Sequence, residues 1–266
     1  MKLRPIEHLE DLQSAPDDRR IPIDQVGIKD LRYPIVIRDK AHAEQSTIAH
    51  FTLTVDLPHQ HKGTHMSRFV EALGEHGPVI HIDNVREILT RLKEKFQSQK
   101  AHVRFEFPFF LEKKAPVSGA VGLMDYTVRF EATQGAADAE SDFIATVIVP
   151  VTTLCPCSQA ISEHGAHNQR GRVTYSVRFH RPIWIEDLIA LVESCASCEL
   201  YSLLKRPDEK AVTERAWSRP VFVEDLVRDV AAKSDREPNI LWYRVEAENF
   251  ESIHNHNAYA VVERRK

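Results

Sequence analysis

The chain has 266 residues, enough to bury a substantial core as one large domain or two smaller ones. Its apolar content of 42% and charged content of 28% are those of a soluble globular protein and exclude a disordered or fibrous one. The net charge of -4 argues against a general nucleic-acid binder, and no apolar run is long enough to span a membrane. The start lacks a secretory signal, and four cysteines in a chain this long indicate reduced thiols in a cytoplasmic protein.

The first half of the chain predicts the element order ββααββ. Residues 48–57 alternate apolar and polar side chains, as a half-buried strand does. Residues 28–38 form a weaker strand candidate, because Pro34 interrupts them. The remaining elements of this half are two helices and two strands, predicted over 67–75, 83–99, 102–110 and 122–133.

The second half repeats this scheme after a linker at 134–142, which has no core-forming pattern. Its predicted elements are strands over 143–151 and 172–179, helices over 185–206 and 222–233, and strands over 239–249 and 258–265. We therefore expect an α+β protein of two tandem ββααββ-like units, with antiparallel sheets and helices on one face. The predicted divisions are a flexible arm over 1–20, a first unit over 21–140, and a second over 141–266 carrying most site residues.

The loop Thr152–Arg172 gathers cysteine and histidine between two predicted strands, with Cys155 and Cys157 followed by His164 and His167. A zinc ion takes three or four N, S or O ligands, and a catalytic zinc keeps one position open for water. This loop offers one cysteine and one histidine, so a third ligand would have to come from elsewhere. The spacing alone leaves two readings open: a metal site, or packed thiols beside surface histidines.

The second cysteine pair, Cys195 and Cys198, falls within a predicted amphipathic helix. We interpret these cysteines as small buried hydrophobes rather than as zinc ligands. The helix should end before Pro207, so that Asp208 and Glu209 begin a polar loop. That loop is either a solvated charge run or a carboxylate ligand among phosphate-binding cations.

Two further loops carry candidate site residues. Residues 248–259 place Glu251, His254 and His256 between the last two strands, where structural and functional roles are both open. Residues 57–69 join a strand to a helix, and Lys62, His65 and Arg68 could hold an anion near the start of that helix. The stretch lacks the spacing of a P-loop.

Four stretches together resemble the GTP cyclohydrolase I family, specifically its type IB branch: HKGTHMSRF, PVTTLCPCSQAISEHGAHNQRGR, LLKRPDEK and ENFESIHNHNAYA. The resemblance implies the tunnelling fold, in which such units pair into barrels across subunits, and a homotetramer with sites at the interfaces. It also implies conversion of GTP into 7,8-dihydroneopterin triphosphate and formate, the first step of pterin and folate biosynthesis.

The resemblance assigns roles to particular positions. Cys155, His167 and Glu209 match the metal ligands, and they would hold a divalent zinc, manganese or iron ion without any organic cofactor. Glu251 matches the carboxylate that anchors the guanine, and His254 is placed to exchange protons during ring opening. The candidates for contact with the rest of GTP, chosen on charge and position, are Lys62, His65, Arg68, Arg170, Lys205 and Arg206.

Two alternatives stay open at this point. A nitrile reductase of the same fold, which makes a queuosine precursor with NADPH, would use Cys155 as a metal-free nucleophile. A non-enzymatic module stabilised by zinc would have a closed site of four ligands and would unfold without its metal. In the cyclohydrolase reading, Cys157 is interpreted as a supporting or structural residue and His164 as a surface residue.

Overall fold

The computed structural model describes residues 11–13, 15–137 and 141–266, and it shows an α+β protein, as the sequence predicts. The strands are β1 (Ile23–Asp39), β2 (Ala43–Leu57), β3 (Ala101–Lys114), β4 (Val121–Gln134), β5 (Asp142–Leu154), β6 (Asn168–Phe179), β7 (Cys198–Glu199), β8 (Ile240–Asn249) and β9 (Ala258–Arg265). The helices are α1 (Ser67–His76), α2 (Val85–Phe96), α3 (Pro156–Ile161), α4 (Ile185–Glu193), α5 (Arg206–Ser218) and α6 (Val223–Arg236). Residues 1–10 and 14 of the predicted arm lie outside the described residues.

The described chain divides into two compact units, and β3 and β4 contribute to both. The first unit contains β1, β2, α1 and α2, with β3 up to Phe105 and β4 from Glu131. The second contains Lys40–His42 and the rest of β3 and β4, together with the chain from Ile144 onward. The chain therefore passes between the units on either side of Lys40–His42, twice within the β3–β4 hairpin and once after Phe143, and the single boundary at 140 stays a prediction.

The first unit has the strand order β1-β2-β3-β4, and its β1–β2 pairing is antiparallel. The predicted alternation along β2 is confirmed, because its apolar face is almost fully buried. The helices α1 and α2 pack on each other, and the rings of Phe69 and Phe96 stack with centroids 4.2 Å apart. The ring of Phe51 on β2 stacks on Phe105 of β3 at 4.8 Å. The predicted order ββααββ of this half is observed.

The second unit has the strand order β3-β4-β5-β6-β8-β9, and β7 pairs with β5. The helix α4 packs on β6, and α6 packs on β8 and β9. Val173, Tyr175 and Val177 of β6 lie on the buried face in the alternation that the sequence predicts. Tyr175 is fully buried, and its hydroxyl lies 2.7 Å from that of Ser234 on α6, so helix and sheet are joined by a satisfied polar contact.

The predicted helix over 185–206 is wrong in its second half. The helix α4 ends at Glu193, so Cys195 and Cys198 lie beyond it rather than within it. Cys198 instead belongs to β7 and pairs with Thr152 of β5. Both thiols are nevertheless buried, as expected of small hydrophobic side chains.

The predicted polar loop at Asp208 and Glu209 is also wrong, because both residues lie in the first turn of α5. Pro207 occupies that turn too, where its missing N–H group leaves no intrahelical hydrogen bond unmade. The proline therefore starts a helix here rather than ending one. Among the described residues, no helix combines the length and apolar character needed to cross a bilayer.

Candidate active site

Cys155 stands at the end of β5 and caps the short helix α3. Its backbone is extended, Pro156 follows in the first helical turn, and its Sγ atom accepts a hydrogen bond from the Ser158 N–H at 3.5 Å. The side chain is half-buried, whereas that of Cys157 is exposed. The turn therefore points one of the two neighbouring thiols inward and the other outward.

His167 lies at the other end of the same loop, just before β6. The Cys155 N–H donates to the His167 carbonyl at 3.0 Å, and the His167 N–H donates to the Ser158 hydroxyl at 3.2 Å. These bonds close the loop and bring the cysteine and histidine backbones together. The local fold therefore confirms that residues from this loop gather at one end of the sheet.

The His167 imidazole faces two oxygen acceptors. Its Nδ1 atom lies 2.9 Å from Oε1 of Gln169 and 3.6 Å from Oε2 of Glu251. The side chains of His167 and Glu251 are 13% and 11% exposed, so the contact is largely shielded from water. The Gln169 amide in turn donates to the hydroxyl of Thr153 on β5 at 2.9 Å.

Glu251 lies two residues beyond the end of β8, after Phe250, whose N–H donates to the Arg170 carbonyl at 2.9 Å. Its Oε2 atom is buried and has no hydrogen-bond partner within the described chain. The Oδ1 atom of Asn249, on the same strand, is also buried and unbonded there. Buried acceptors are rarely left unpaired, so this end of β8 presents carboxylate and amide oxygens that a bound molecule could satisfy.

The loop after Glu251 carries His254 and His256, and both side chains are exposed. Their rings stack with centroids 5.2 Å apart. The base of this loop is held by Glu248, which accepts from Arg172 at 2.5 Å and from the Asn257 amide at 2.8 Å. The contact described for His254 is therefore with His256 and not with the pair of His167 and Glu251.

Glu209 is exposed on the first turn of α5, and its neighbour Asp208 is fully buried. Asp208 accepts hydrogen bonds from the backbone N–H groups of Val117, Ser118 and Lys205, each at 2.8 Å, and from the Ser118 hydroxyl at 2.6 Å. Burial alone would raise the pKa of Asp208, but these donors outweigh it and hold the pKa below its ordinary value. Asp208 thereby ties the start of α5 to the turn after β3.

The three proposed metal ligands are not assembled as a cluster here. Within residues 11–13, 15–137 and 141–266, no group of three or more His, Cys, Asp and Glu side chains is placed to hold a metal ion. Cys155 and His167 are neighbours through their backbones, whereas Glu209 is fixed by the separate α5. The donor types suit a divalent ion, but their present positions do not yet form its coordination sphere.

The six basic candidates divide between the units. Arg170, Lys205 and Arg206 are exposed in the second unit, on β6 and at the start of α5. The other three belong to the first unit: Lys62, His65 and Arg68. There, the Lys62 N–H donates to the Ala15 carbonyl at 3.0 Å, and Nε2 of His65 lies 3.2 Å from a carboxylate oxygen of Asp11.

The remaining cysteines take no part in this arrangement. Burial raises the pKa of the Cys195 thiol, and burial together with Glu199 raises that of Cys198 to about 11. Both groups therefore stay protonated near neutral pH, whereas a metal ligand must be a thiolate. All four cysteines are unpaired thiols.

Two residues of this region, Gln169 and Asp208, are not among the site residues predicted from the sequence. Gln169 alternates with Gly171 and Val173 on the buried face of β6. A polar side chain on such a face is expected to have a hydrogen-bond partner. Asp208 comes directly after a proline at a helix start, where carboxylates commonly accept backbone N–H groups. Either pattern was available in the sequence.

A family model described as type I GTP cyclohydrolase folE2 matches residues 9–260. The chain belongs to this FolE2 family. It is 62% identical over 260 residues to GTP cyclohydrolase FolE2 of Akkermansia muciniphila, covering 97% of this chain and 98% of that one. It is 54% identical over 258 residues to GTP cyclohydrolase FolE2 of Geotalea uraniireducens, covering 97% and 94%.

Solved structures show that this FolE2 chain shares the fold of uricases. Uricase from Arthrobacter globiformis matches with a TM-score of 0.51 at 12% identity, covering 91% of this chain and 93% of that one. A highly active mutant of urate oxidase from Bacillus sp. TB-90 matches with a TM-score of 0.56 at 8% identity, covering 92% and 100%. At such low identity the likeness concerns the fold alone.

Proposed function

We propose that this chain converts GTP into 7,8-dihydroneopterin triphosphate and formate, as a GTP cyclohydrolase of the type IB branch. Identity of 62% over almost the whole chain to a GTP cyclohydrolase FolE2 supports the activity. The proposed location of the site is supported by the approach of Glu251 to His167, which stands at the end of the Cys155 loop. Three strands, β5, β6 and β8, deliver these residues to one end of the sheet.

Glu251 is the proposed anchor for the guanine base. An ionised carboxylate accepts two hydrogen bonds side by side, and guanine offers both its N1–H and its 2-amino group along one edge. Adenine lacks this pair of donors. The buried, unbonded Oε2 atom of Glu251 supports the role, because a bound guanine would supply the missing partner.

The proposed metal ligands are Cys155, His167 and Glu209. Their thiolate, imidazole and carboxylate would leave one position open, and the mixed set suits zinc, manganese or iron. Because the three do not form a cluster in the described chain, the proposal requires their side chains to move closer together when the ion binds. When bound, the ion lowers the pKa of a water molecule and so supplies a nucleophile at neutral pH.

The proposed reaction begins with hydrolysis of the C8–N9 bond of guanine. A second hydrolysis releases C8 as formate, the ribose rearranges, and ring closure with loss of water forms the pterin. His254 would donate and accept protons during ring opening, for which its exposed loop must fold over the substrate. The basic residues Arg170, Lys205 and Arg206 are the proposed triphosphate contacts of the second unit, and Lys62, His65 and Arg68 those of the first.

The proposed assembly is a cytoplasmic homotetramer of the tunnelling fold, with the chain read as two tandem units. The uricase-like fold supports only the fold part of this assignment. Exposed apolar side chains on the edge strand β9, at Tyr259 and Val261, suit an interface with a second copy. Closed symmetric assembly would cover such edges.

The deciding experiment is incubation of the purified protein with GTP and a divalent metal, followed by assay of formate and of a fluorescent pterin after oxidation. We expect both products in equal amounts and their loss on chelation. Absence of turnover with GTP, together with metal-independent oxidation of NADPH when a nitrile substrate is supplied, would instead indicate the nitrile reductase. Unfolding on chelation, without any turnover beforehand, would indicate the zinc-stabilised module.

A further inference from the structure

A buried polar pair lies directly behind His167. Thr153 of β5 and Gln169 of β6 are partners in the antiparallel ladder, and they are 0% and 9% exposed. The Gln169 Nε2 group donates to the Thr153 hydroxyl at 2.9 Å. Since both side chains are on the apolar face, this bond holds the amide in one place instead of leaving it free to rotate.

The other end of the same amide faces the His167 ring. Its Oε1 atom lies 2.9 Å from Nδ1, and a carboxamide oxygen can only accept a hydrogen bond. Glu251 places a second acceptor, Oε2, at 3.6 Å from that nitrogen. Because two acceptors face Nδ1, the favoured tautomer of His167 is the one with its proton on Nδ1. The Gln169 amide is then oriented with its oxygen towards the ring. The lone pair of the neutral ring is then on Nε2.

The rest of His167 is also restrained. Its N–H donates to the Ser158 hydroxyl at 3.2 Å, and its carbonyl accepts from the Cys155 N–H at 3.0 Å. Backbone and Nδ1 are thus held within the chain, and Nε2 is the ring nitrogen left to face an incoming ligand. A histidine that binds a metal commonly donates its other N–H to a fixed acceptor in this way.

We propose that Gln169 is a positioning residue that fixes the Nδ1–H tautomer and the orientation of His167, with Thr153 holding the amide. The inference rests on the proposed function, in which Nε2 of His167 is a ligand. Gln169 would act through the imidazole, because its side chain is bonded to His167 and Thr153. Loss of such a supporting contact commonly weakens metal binding by about 10- to 100-fold.

The test compares three variants. Gln169→Met keeps the length of the side chain but removes the acceptor, whereas Gln169→Glu keeps an acceptor to which the Thr153 hydroxyl can donate. Gln159→Met is the matched control, because the Gln159 amide donates at 2.7 Å to the Trp217 carbonyl in the same region and has a backbone partner rather than His167. Thr153→Val, which removes the hydroxyl and keeps the shape, is a second probe that does not alter Gln169.

The primary readout is ¹⁵N NMR of the metal-free protein labelled with ¹⁵N-histidine. The His167 signals are assigned by their loss in His167→Asn. We expect the Nδ1–H tautomer in the wild type, in Gln169→Glu and in Gln159→Met. In Gln169→Met, and to a smaller degree in Thr153→Val, the Nε2–H tautomer favoured by solvated imidazole should appear. An unchanged tautomer in both of these variants would overturn the proposal, and so would the Nε2–H tautomer in the wild type.

The second readout is affinity for Zn²⁺, measured by competition with a chromophoric chelator. We expect Gln169→Met to bind about 10- to 100-fold more weakly than the wild type, and Gln169→Glu to recover most of that loss. Equal affinities in the wild type and Gln169→Met would overturn the proposal. If the wild type binds no Zn²⁺, the proposed metal site is refuted. The NMR comparison would still decide whether Gln169 orients the His167 ring.

Discussion

The backbone N–H of Cys155 donates to the carbonyl of His167 at 3.0 Å and so closes the loop between β5 and β6. This bond brings the backbones of the two residues together, so the thiol and the imidazole extend from neighbouring points of the loop. Two of the three proposed ligands are thus brought together by local structure, and the third, Glu209, depends on how α5 is anchored.

Cys155→Ser should lower GTP turnover by more than about 100-fold while leaving the protein folded. The serine oxygen can still accept from the Ser158 N–H and so keep the cap of α3, but a hydroxyl is a far poorer ligand than a thiolate for a divalent ion. The neighbouring Cys157 is exposed, and Cys157→Ala should retain activity. Formate release and circular dichroism on both variants provide the check, and full turnover by Cys155→Ser would remove the assigned role.

Glu251→Gln should weaken GTP binding by about 10- to 100-fold, because the amide replaces a charged acceptor by a group that is part donor. It should also lose discrimination between GTP and inosine triphosphate, which lacks the 2-amino group. The measurement is the ratio of kcat/KM for the two nucleotides in each protein. A variant that retains the wild-type ratio would show that Glu251 does not read the guanine edge.

Glu209→Gln should abolish most metal-dependent turnover without lowering the melting temperature, because the side chain is exposed on α5. Glu214→Gln is the matched control on the same helix, where the carboxylate pairs with Lys210 at 2.6 Å in an exposed ion pair. Such pairs contribute little to stability. Zn²⁺ affinity and turnover should fall in the first variant only, and an equal response of both would contradict the assignment of Glu209.

Asp208→Asn should lower the melting temperature by more than Ser118→Ala does. In Asp208→Asn, the amide NH₂ group replaces a carboxylate oxygen that now accepts hydrogen bonds, so donor faces donor. Ser118→Ala removes only the serine hydroxyl, which is one of the four groups that donate to Asp208. Because Asp208 adjoins Glu209, its loss should weaken Zn²⁺ binding as well. Thermal unfolding followed by circular dichroism measures the first effect. An unchanged melting temperature in Asp208→Asn would mean that α5 is anchored elsewhere.

The stability of the fold should fall at acid pH partly through Glu199. Burial opposes ionisation of this carboxyl, but hydrogen bonds from the Tyr201 hydroxyl, the Glu199 backbone and Arg215 lower its pKa to about 2. A depressed pKa in the folded state means that the stabilisation is fully present above the ordinary value of about 4.5 and is lost as pH falls from there towards 2. Melting temperatures across this range should drop less steeply in Glu199→Gln, and parallel curves would contradict the role.

The sequence predicted best those elements whose burial follows a simple period. The alternation predicted along β2 identified a face that is buried in the structure, and the buried apolar residues of β6 and α2 likewise recur at the spacing of a strand face and of a helix face. The prediction of a helix over 185–206 is wrong beyond Glu193. Apolar residues continue past that point, but the chain leaves the helix and forms β7. The helix α5 was missed because it has no clear apolar stripe and Pro207 was taken as a stop.

The candidate site was predictable in its residue types but not in its geometry. The spacing of Cys155 and His167 in the sequence does not show which side chains they contact. Only the pairing of β5 with β6 shows that the two ends of their loop meet. The approach of Glu251 to His167 depends on β8 lying beside β6, a long-range pairing that one sequence does not reveal. The metal assignment came from the family resemblance and stays a prediction.

The most direct test of the proposed metal centre is X-ray absorption spectroscopy of the Zn²⁺-loaded protein and its Cys155→Ser variant. In the wild type we predict one sulfur ligand at about 2.3 Å together with nitrogen and oxygen ligands at about 2.0–2.2 Å. The sulfur contribution should vanish in Cys155→Ser. A wild-type spectrum without sulfur, or one that the substitution leaves unchanged, would contradict the shared site of Cys155, His167 and Glu209.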